Sequence, residues 1–439
     1  MPQQQRATLE HFPSGQREAV SPASGREVLW LLAAAFALIA ARSAFLLAHG
    51  RVVFEEGTVY LRYAWYDSVP YALIADHQGY YSLFMNVLGI LTARVFPLEW
   101  ASFVFTYAAC AVMLWTVFLA IECERFDSAR LRLLAAAICL LAPSIEVWMV
   151  AEDSQFYLVI CTALIALSST KRLRAVRLLT LLAAGLTGPV SCCMAPFFWW
   201  KAWQQRNWTA TAQAILLTLC ALLQASLILH FRHPSTGNGR FAWFGPVIFM
   251  KIIAPGFFTR LGAFAAQRVV VHHGSLLVCA LFWGLSLAGL GLFFRQARIA
   301  GSAGVLCFCM ALASLLFNYT GIAEPVEVIF IGAFRYFFTG TVLLWLTLLL
   351  AYAAARTPRE QRFAGALVAL VLFCGSVDAI GYWKRLQGVS PLWTKQVRAW
   401  RQDPNLRIDV LGAGGPSFYL KPQHGEGHFR GSTELPDQP

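Results

Sequence analysis

The sequence predicts an all-α polytopic membrane protein of about eleven transmembrane helices, with interfacial helices in the first outer loop and a small C-terminal extracytoplasmic appendage. Of the 439 residues, 58% are hydrophobic and only 13% charged, where a soluble chain carries about 25% charged residues. Apolar runs of about 20 residues, long enough to cross roughly 30 Å of hydrocarbon, recur between positions 28 and 383. A soluble enzyme is excluded by this composition. A transmembrane barrel is excluded too, because its strands would alternate polar and apolar residues in segments of about ten. No internal repeat is visible.

Residues 1–27 are polar and read as a disordered cytoplasmic lead-in. The run 28–48 is too long for the apolar region of a signal peptide and lacks a small-residue cleavage site, so it reads as an uncleaved first span. Further spans are expected at 100–121, 132–149, 154–169, 178–187, 189–203, 210–230, 275–294, 300–318, 336–355 and 363–382. The pair meeting at Gly188 and Pro189 is short enough to be a hairpin that does not fully cross. The membrane body is thus 28–383, with the first extracytoplasmic loop at 49–99, a small extracytoplasmic segment at 384–421 and a disordered tail at 422–439.

Orientation follows from the excess of Lys and Arg that short cytoplasmic loops carry. With the N-terminus in the cytoplasm, every inner connection is basic: Arg125, Arg130 and Arg132; Lys171, Arg172, Arg174 and Arg177; Lys201 and Arg206; Arg295 and Arg298; Arg356, Arg359 and Arg362. The short outer connections at 143–153 and 187–189 hold none. An odd number of spans leaves the C-terminus on the outer side, the periplasm if the membrane is a bacterial inner membrane. The same threading gathers Glu55, Glu56, Asp67, Asp76, Glu99, Glu146, Glu152, Asp153, Glu324 and Glu327 on the outer face. Carboxylate chemistry is therefore expected there.

The net charge of +12 does not point to nucleic acid, because the 35 Lys and Arg residues are scattered over loops and tails instead of forming one stripe. None of the 11 cysteines has C-x-x-C spacing, and all lie in or beside apolar runs, where Cys behaves as a small hydrophobe. Neither a disulfide framework nor a zinc site is implied.

Three clusters are candidates for chemistry. The first outer loop opens with Glu55 and Glu56, continues through Tyr60, Arg62, Trp65, His77 and Tyr80, and then runs apolar from 83 to 96, which reads as helices lying in the interface. A carboxyl group where a helix leaves the bilayer is half-desolvated and suited to general-base work, although acids also simply solvate helix ends. Two adjacent glutamates cannot share one helical face, so at most one points into a site. The second cluster is Glu146 with Glu152, Asp153, Ser154 and Gln155, which either cap the returning helix or bind sugar hydroxyls or a metal. In the third, Glu324 and Glu327 precede Arg335 and Tyr336. An Arg at the membrane lip suits a phosphate ester through its planar fork, or else snorkels.

Arg42 and Asp378, inside apolar runs, are candidates for function or for mutual pairing. His230, His233, His272 and His273 lie in or beside the loop expected at 231–274 and read as ordinary surface histidines. No Walker A, Rossmann, H-E-x-x-H or G-x-S-x-G pattern occurs. In the tail, 393–401 has the period of a short amphipathic helix and 407–411 reads as a strand; so small a fragment needs the outer loops to pack on.

An acidic residue just after span one, interfacial helices behind it and chemistry on the outer face together make the chain resemble the multi-span glycosyltransferases of the GT-C type, which use polyprenyl-phosphate sugars. Glu55 and Glu56 occupy the matching position; the stretch 55–97, the turn 152–156, Arg335 with Tyr336, and the Trp-rich tail also look like bacterial members of that group. The resemblance covers most of the chain in topology and rests on about a dozen residues. Some branches have Asp in the acidic pair, whereas this chain has Glu-Glu. The resemblance implies an inverting transfer of a hexose or pentose from a polyprenyl-phosphate sugar donor, in contact with membrane lipid, to a glycan, lipid or protein acceptor. Glu55 or Glu56 would deprotonate the acceptor and Arg335 would stabilise the departing lipid phosphate. Tyr60, Trp65 and Tyr80 would bound the sugar pocket, with Arg62, His77, Glu152, Asp153, Gln155 and Tyr336 as further substrate contacts. A divalent cation fits such a site but is not required by the sequence. The competing expectations are a transporter or flippase, which calls for repeat symmetry and ionisable groups at the midplane, and a membrane acyltransferase, which calls for a membrane-embedded His.

Overall fold

The computed structural model describes residues 23–77, 79–143, 146–169, 172–230, 240–273, 276–321, 334–386, 393–410, 417–418 and 420. Of the disorder expected at 1–27 and 422–439, residues 1–22 and 422–439 lie outside these residues, as do the acids Glu324 and Glu327, whereas Gly25, Arg26 and Glu27 are helical instead of disordered. The chain is an all-α polytopic membrane protein. Helices dominate because the hydrocarbon offers backbone N–H and C=O groups no other partner. Among the described residues eight helical segments are long and apolar enough to cross: Gly25–His49, Leu98–Ile121, Trp208–His230, Trp243–Val270, Leu276–Ile299, Gly301–Thr320, Arg335–Ala354 and Pro358–Gly381.

Helix α1 (Gly25–His49) starts three residues before the expected span because Ser24 accepts a hydrogen bond from the Glu27 N–H at 3.1 Å. It stops at Gly50, whose positive φ of 65° with an extended ψ of 172° is a conformation suited to glycine and whose N–H donates to the Leu46 carbonyl at 2.7 Å. A Cβ at Gly50 would come within 2.5 Å of the Ser102 carbonyl carbon. Only glycine lets the chain turn here against α5 (Ala101–Ile121).

The first loop is built of short helices: a π-helical turn at Glu56–Leu61, α2 (Arg62–Tyr66), α3 (Val69–Ile74) and α4 (Leu83–Ile90), followed by a second π-helical turn at Leu91–Val95. Arg94 closes the C-terminal end of α2 by donating to the carbonyls of Ala64, Trp65 and Asp67 at 3.1, 3.1 and 2.8 Å.

Next come α6 (Ala129–Leu141), α7 (Ser154–Leu167), α8 (Arg174–Thr187), α9 (Pro189–Cys192), α10 (Ala195–Gln205) and α11 (Trp208–His230). The span expected at 132–149 ends at Leu141 instead, because Pro143 forces Ala142 into an extended conformation (φ −57°, ψ 134°). The freed segment 146–153 is irregular and carries acids. At 14 residues α8 is about 21 Å long, short of a full crossing as the hairpin reading allowed.

The stretch 231–274, expected as a loop, holds helices wherever it is described. These are α12 (Arg240–Ile248), a π-helical turn at Phe249–Ile253 and α13 (Ala254–His273). Its apolar pattern is interrupted by Lys251, Arg260 and Pro246, which conceal it from a hydropathy reading. The backbone breaks at Thr259 (φ 60°, ψ 179°), so two helices meet at a corner here. Lys251, 2% exposed, and Arg260 both lie against the Phe334 ring, at 3.7 and 4.3 Å.

Helices α14 (Leu276–Ile299), α15 (Gly301–Gly321), α16 (Arg335–Ala354) and α17 (Pro358–Leu386) complete the bundle. Its centre is α16, buried at every position from 337 to 351, and packed on α7 through Thr339, which donates to the Phe156 carbonyl at 3.1 Å. All 11 cysteines are free thiols.

A second, smaller apolar core lies outside this bundle. It joins Tyr60, Leu61, Trp65, Met85 and Leu88 of the first loop to Trp393, Val397, Trp400, Ile408 and Leu420 of the tail. Helix α18 (Trp393–Gln402) docks there: the indole N–H of Trp393 donates to the Leu98 carbonyl at 2.7 Å, and that of Trp400 to Leu420 at 2.7 Å. The strand expected at 407–411 is two residues long, β1 (Ile408–Asp409), paired antiparallel with β2 (Ser417–Phe418) in the register Ile408 opposite Phe418.

Candidate active site

Five chain segments meet where α1 ends and α7 and α16 begin. The turn at Gly50 sends Arg51 inward, where its guanidinium donates to the Trp148 carbonyl at 3.0 Å and its N–H to Thr106 at 2.9 Å. Two residues beside this turn are left-handed without being glycine, Phe54 (φ 22°) and Met149 (φ 57°). Such conformations cost on the order of 1–3 kcal/mol each and persist only where neighbours hold them.

Glu56 is what holds them. It is 1% exposed; Oε2 accepts the Val53 N–H at 2.8 Å, while Oε1 accepts those of Ala151 at 2.6 Å and Glu152 at 3.4 Å. Burial pushes its carboxyl up to about 7, against the pull of these N–H groups and of Arg51. Both oxygens are occupied by backbone, so Glu56 ties the first loop to the 146–153 turn.

Its neighbour Glu55 faces another way. It is half-buried, its carboxyl lies beside that of Glu152, and its Oε2 is buried without a hydrogen-bond partner among the described residues. Burial, Asp153 and Glu55 all raise the Glu152 carboxyl well above the ordinary range, with Arg335 opposing them. Asp153 is raised as well, first by burial, again against Arg335. The Arg335 guanidinium stands 3.9 Å from both Glu152 and Asp153, and its backbone N–H donates to Glu146 at 3.0 Å. Its side chain also donates to the Tyr336 hydroxyl at 3.3 Å.

One wall is aromatic. Ser82 and Tyr80 hydrogen-bond the Tyr60 hydroxyl, and Gln155 donates to the Tyr80 hydroxyl at 3.4 Å. Burial raises both phenols, so they remain neutral donors at physiological pH. Gln155 is held from behind by Gly188, where a Cβ would collide with its Oε1. His77 packs on Tyr63 and Tyr60 with centroids 4.1 and 5.6 Å apart, and burial lowers it to about 4.

Of the residues the sequence singles out, Glu55, Glu56, Tyr60, Tyr80, Glu152, Asp153, Gln155, Arg335 and Tyr336 converge here, with His77 behind the aromatic wall. Trp65 does not: it packs edge-on against Trp400 of the tail, 6.1 Å between centroids. Arg62, half-buried on α2, forms no ion pair with the acids among the described residues. Sequence reasoning gave no role to Arg51 and Ser82; the glycine immediately before Arg51 was the available signal. Among the described residues no group of three or more His, Cys, Asp or Glu side chains is arranged to hold a metal ion.

Comparison of the chain with protein-family models, with curated proteins and with solved structures found no match.

Proposed function

We propose that this protein is a membrane glycosyltransferase of the GT-C type, moving a sugar from a polyprenyl-phosphate donor to a glycan, lipid or protein acceptor. The observation that carries this reading is the meeting of Glu55, Glu152 and Asp153 with Arg335, beside neutral phenols and an amide, at the bilayer edge of one end of the bundle. Tyr60, Tyr80 and Gln155 offer the hydrogen bonds a sugar ring requires, and Arg335 offers a planar cation to a phosphate oxygen.

In this reading Glu55 takes the acceptor hydroxyl proton as the acceptor oxygen attacks the anomeric carbon. The bond from that carbon to the lipid-phosphate oxygen breaks, and the phosphate leaves carrying the charge beside Arg335. Glu55 is preferred to Glu56 because both oxygens of Glu56 are engaged by backbone N–H groups. Glu55 Oε2, buried without a hydrogen-bond partner among the described residues, is the oxygen placed to accept.

The site then lies on the periplasmic face of a bacterial inner membrane, with the N-terminus cytoplasmic and the C-terminus periplasmic. Eleven crossings follow if α12 and α13 form a re-entrant pair, entering and leaving on that face about the break at Thr259, and if the shorter α6, α7, α8 and the α9–α10 pair complete the count.

The test is transfer from radiolabelled polyprenyl-phosphate sugars in membranes. Glu55→Gln is expected to lower transfer at least about 100-fold, the lower range for a lost general base. Full transfer by that variant would sink the assignment.

A second reading, a transporter, is favoured by one observation: Arg42, Lys251, Arg260 and Asp378 are buried within apolar helices around a broken one, as transport pathways are. Uptake into proteoliposomes without any transfer product would select it.

A further inference from the structure

A second polar groove lies away from the acidic site, where the tail meets the start of α5. It encloses about 480 Å³ and is lined by Glu99, Trp100, Phe103, Thr394, Arg398 and Arg401. Thr394, Arg398 and Arg401 stand at helical spacing on one stripe of α18, beside the stripe of Trp393, Val397 and Trp400 that docks the helix. Arg401 pairs with Glu99 at 2.8 Å and 3.0 Å through two nitrogens. Arg398 is exposed and has no ion-pair partner among the described residues, so the groove carries a net positive charge.

It lies at the start of the apolar helical stretch Leu98–Ile121, which is long enough to cross a bilayer and contains α5. Trp100, 57% exposed, therefore sits at the level of an interfacial aromatic belt. Below it Phe103 stacks on Tyr107 one turn further along, with centroids 6.2 Å apart and rings 18° from parallel. A cation at headgroup level above an aromatic stripe running into the hydrocarbon is complementary to one kind of molecule.

We propose that this groove binds an anionic membrane phospholipid, with its phosphate on Arg398 and an acyl chain along Trp100, Phe103 and Tyr107. The site stands apart from the transfer chemistry and does not depend on it. Bound lipid would pin the tail helix, and through it the first loop, to the membrane surface.

The experiment is native mass spectrometry of the full chain in a mild detergent, titrated separately with phosphatidylglycerol and phosphatidylcholine. The wild type is expected to retain phosphatidylglycerol in preference. Arg398→Gln is expected to cut that retention about fivefold, as one cation at an anionic headgroup is worth about 1 kcal/mol. Phosphatidylcholine retention and melting temperature should not change. Millimolar inorganic phosphate should leave the lipid in place, since the acyl chain supplies part of the affinity. Equal retention of the two lipids by the wild type, undiminished phosphatidylglycerol retention in Arg398→Gln, or full displacement by phosphate would each overturn the proposal.

Discussion

Glu56 and Ala151 are 95 positions apart in sequence, yet the Glu56 carboxylate accepts the Ala151 N–H at 2.6 Å. That bond, with the one from Val53, joins the two strained turns that present the remaining acids. Two neighbouring glutamates thereby acquire different tasks. Glu56 shapes the site, and Glu55, with its carboxyl against Glu152, is left to act in it.

Substitution at the two positions should separate these tasks. Glu56→Gln places an amide NH2 against at least one backbone donor and leaves that donor buried and unsatisfied, at about 1–3 kcal/mol. A lower melting temperature in detergent is expected, with transfer lost only in proportion to unfolded protein. Glu55→Gln should melt like the wild type and be inactive. A melting loss confined to Glu55→Gln would reverse the assignment.

Arg335 should not tolerate replacement by lysine. Its guanidinium lies 3.9 Å from two buried carboxyl groups while also donating to Tyr336. A lysine ammonium supplies the charge without the planar fork. Under the proposed function, Arg335→Lys keeps donor binding within a few-fold and lowers the maximal rate at least about tenfold, the equivalent of 1.4 kcal/mol. Wild-type rates in that variant would remove Arg335 from the leaving-group role.

The pH dependence of stability has a definite sign. Glu56 has a folded value near 7 against about 4.5 unfolded, and Glu152 and Asp153 are displaced the same way. The folded state thus holds protons that the unfolded chain has already released, so stability falls as pH rises through this window. His77, lowered to about 4, acts with the opposite sign: near pH 6.5 the unfolded imidazole still holds protons that the folded one has released, so it offsets a minor part of this loss until it is neutral in both states above about pH 7.5. Between pH 6.5 and 8.5 Glu56 alone contributes a loss of about 1 kcal/mol. The melting temperature should drop over that interval, and less steeply in Glu152→Gln. A rising melting temperature would contradict the direction.

The acids of the site are legible in the sequence because a carboxylate in a chain this apolar stands out, and because the distribution of basic loops predicts that they share one face. The split between Glu55 and Glu56 is not legible. It depends on left-handed residues at Phe54 and Met149, for which neither side chain has a preference. The helices around Lys251 and Arg260 escape a hydropathy reading for a related reason. Their charges lie against the Phe334 ring, a partner 83 and 74 positions further along the chain. Trp65 looks like a sugar platform by its neighbours in sequence, but Trp400 occupies it, a contact that only the docking of the tail creates.

That docking supplies the last prediction. Trp393 is 3% exposed, fills the core shared by the tail and the first loop, and donates its indole N–H to the Leu98 carbonyl. Trp393→Ala removes both the packing and the donor, at about 3–5 kcal/mol for the cavity before the orphaned carbonyl is counted. The membrane bundle has its own core and should stay folded, whereas α18 should detach. Limited proteolysis in membranes is expected to release the tail from the Trp393→Ala variant while sparing the wild type. Because Tyr60 belongs to the same small core, its hydroxyl loses support, so transfer should fall with the tail's release. A tail that stays protected in Trp393→Ala would show that the strand pair and Trp400 suffice to hold it.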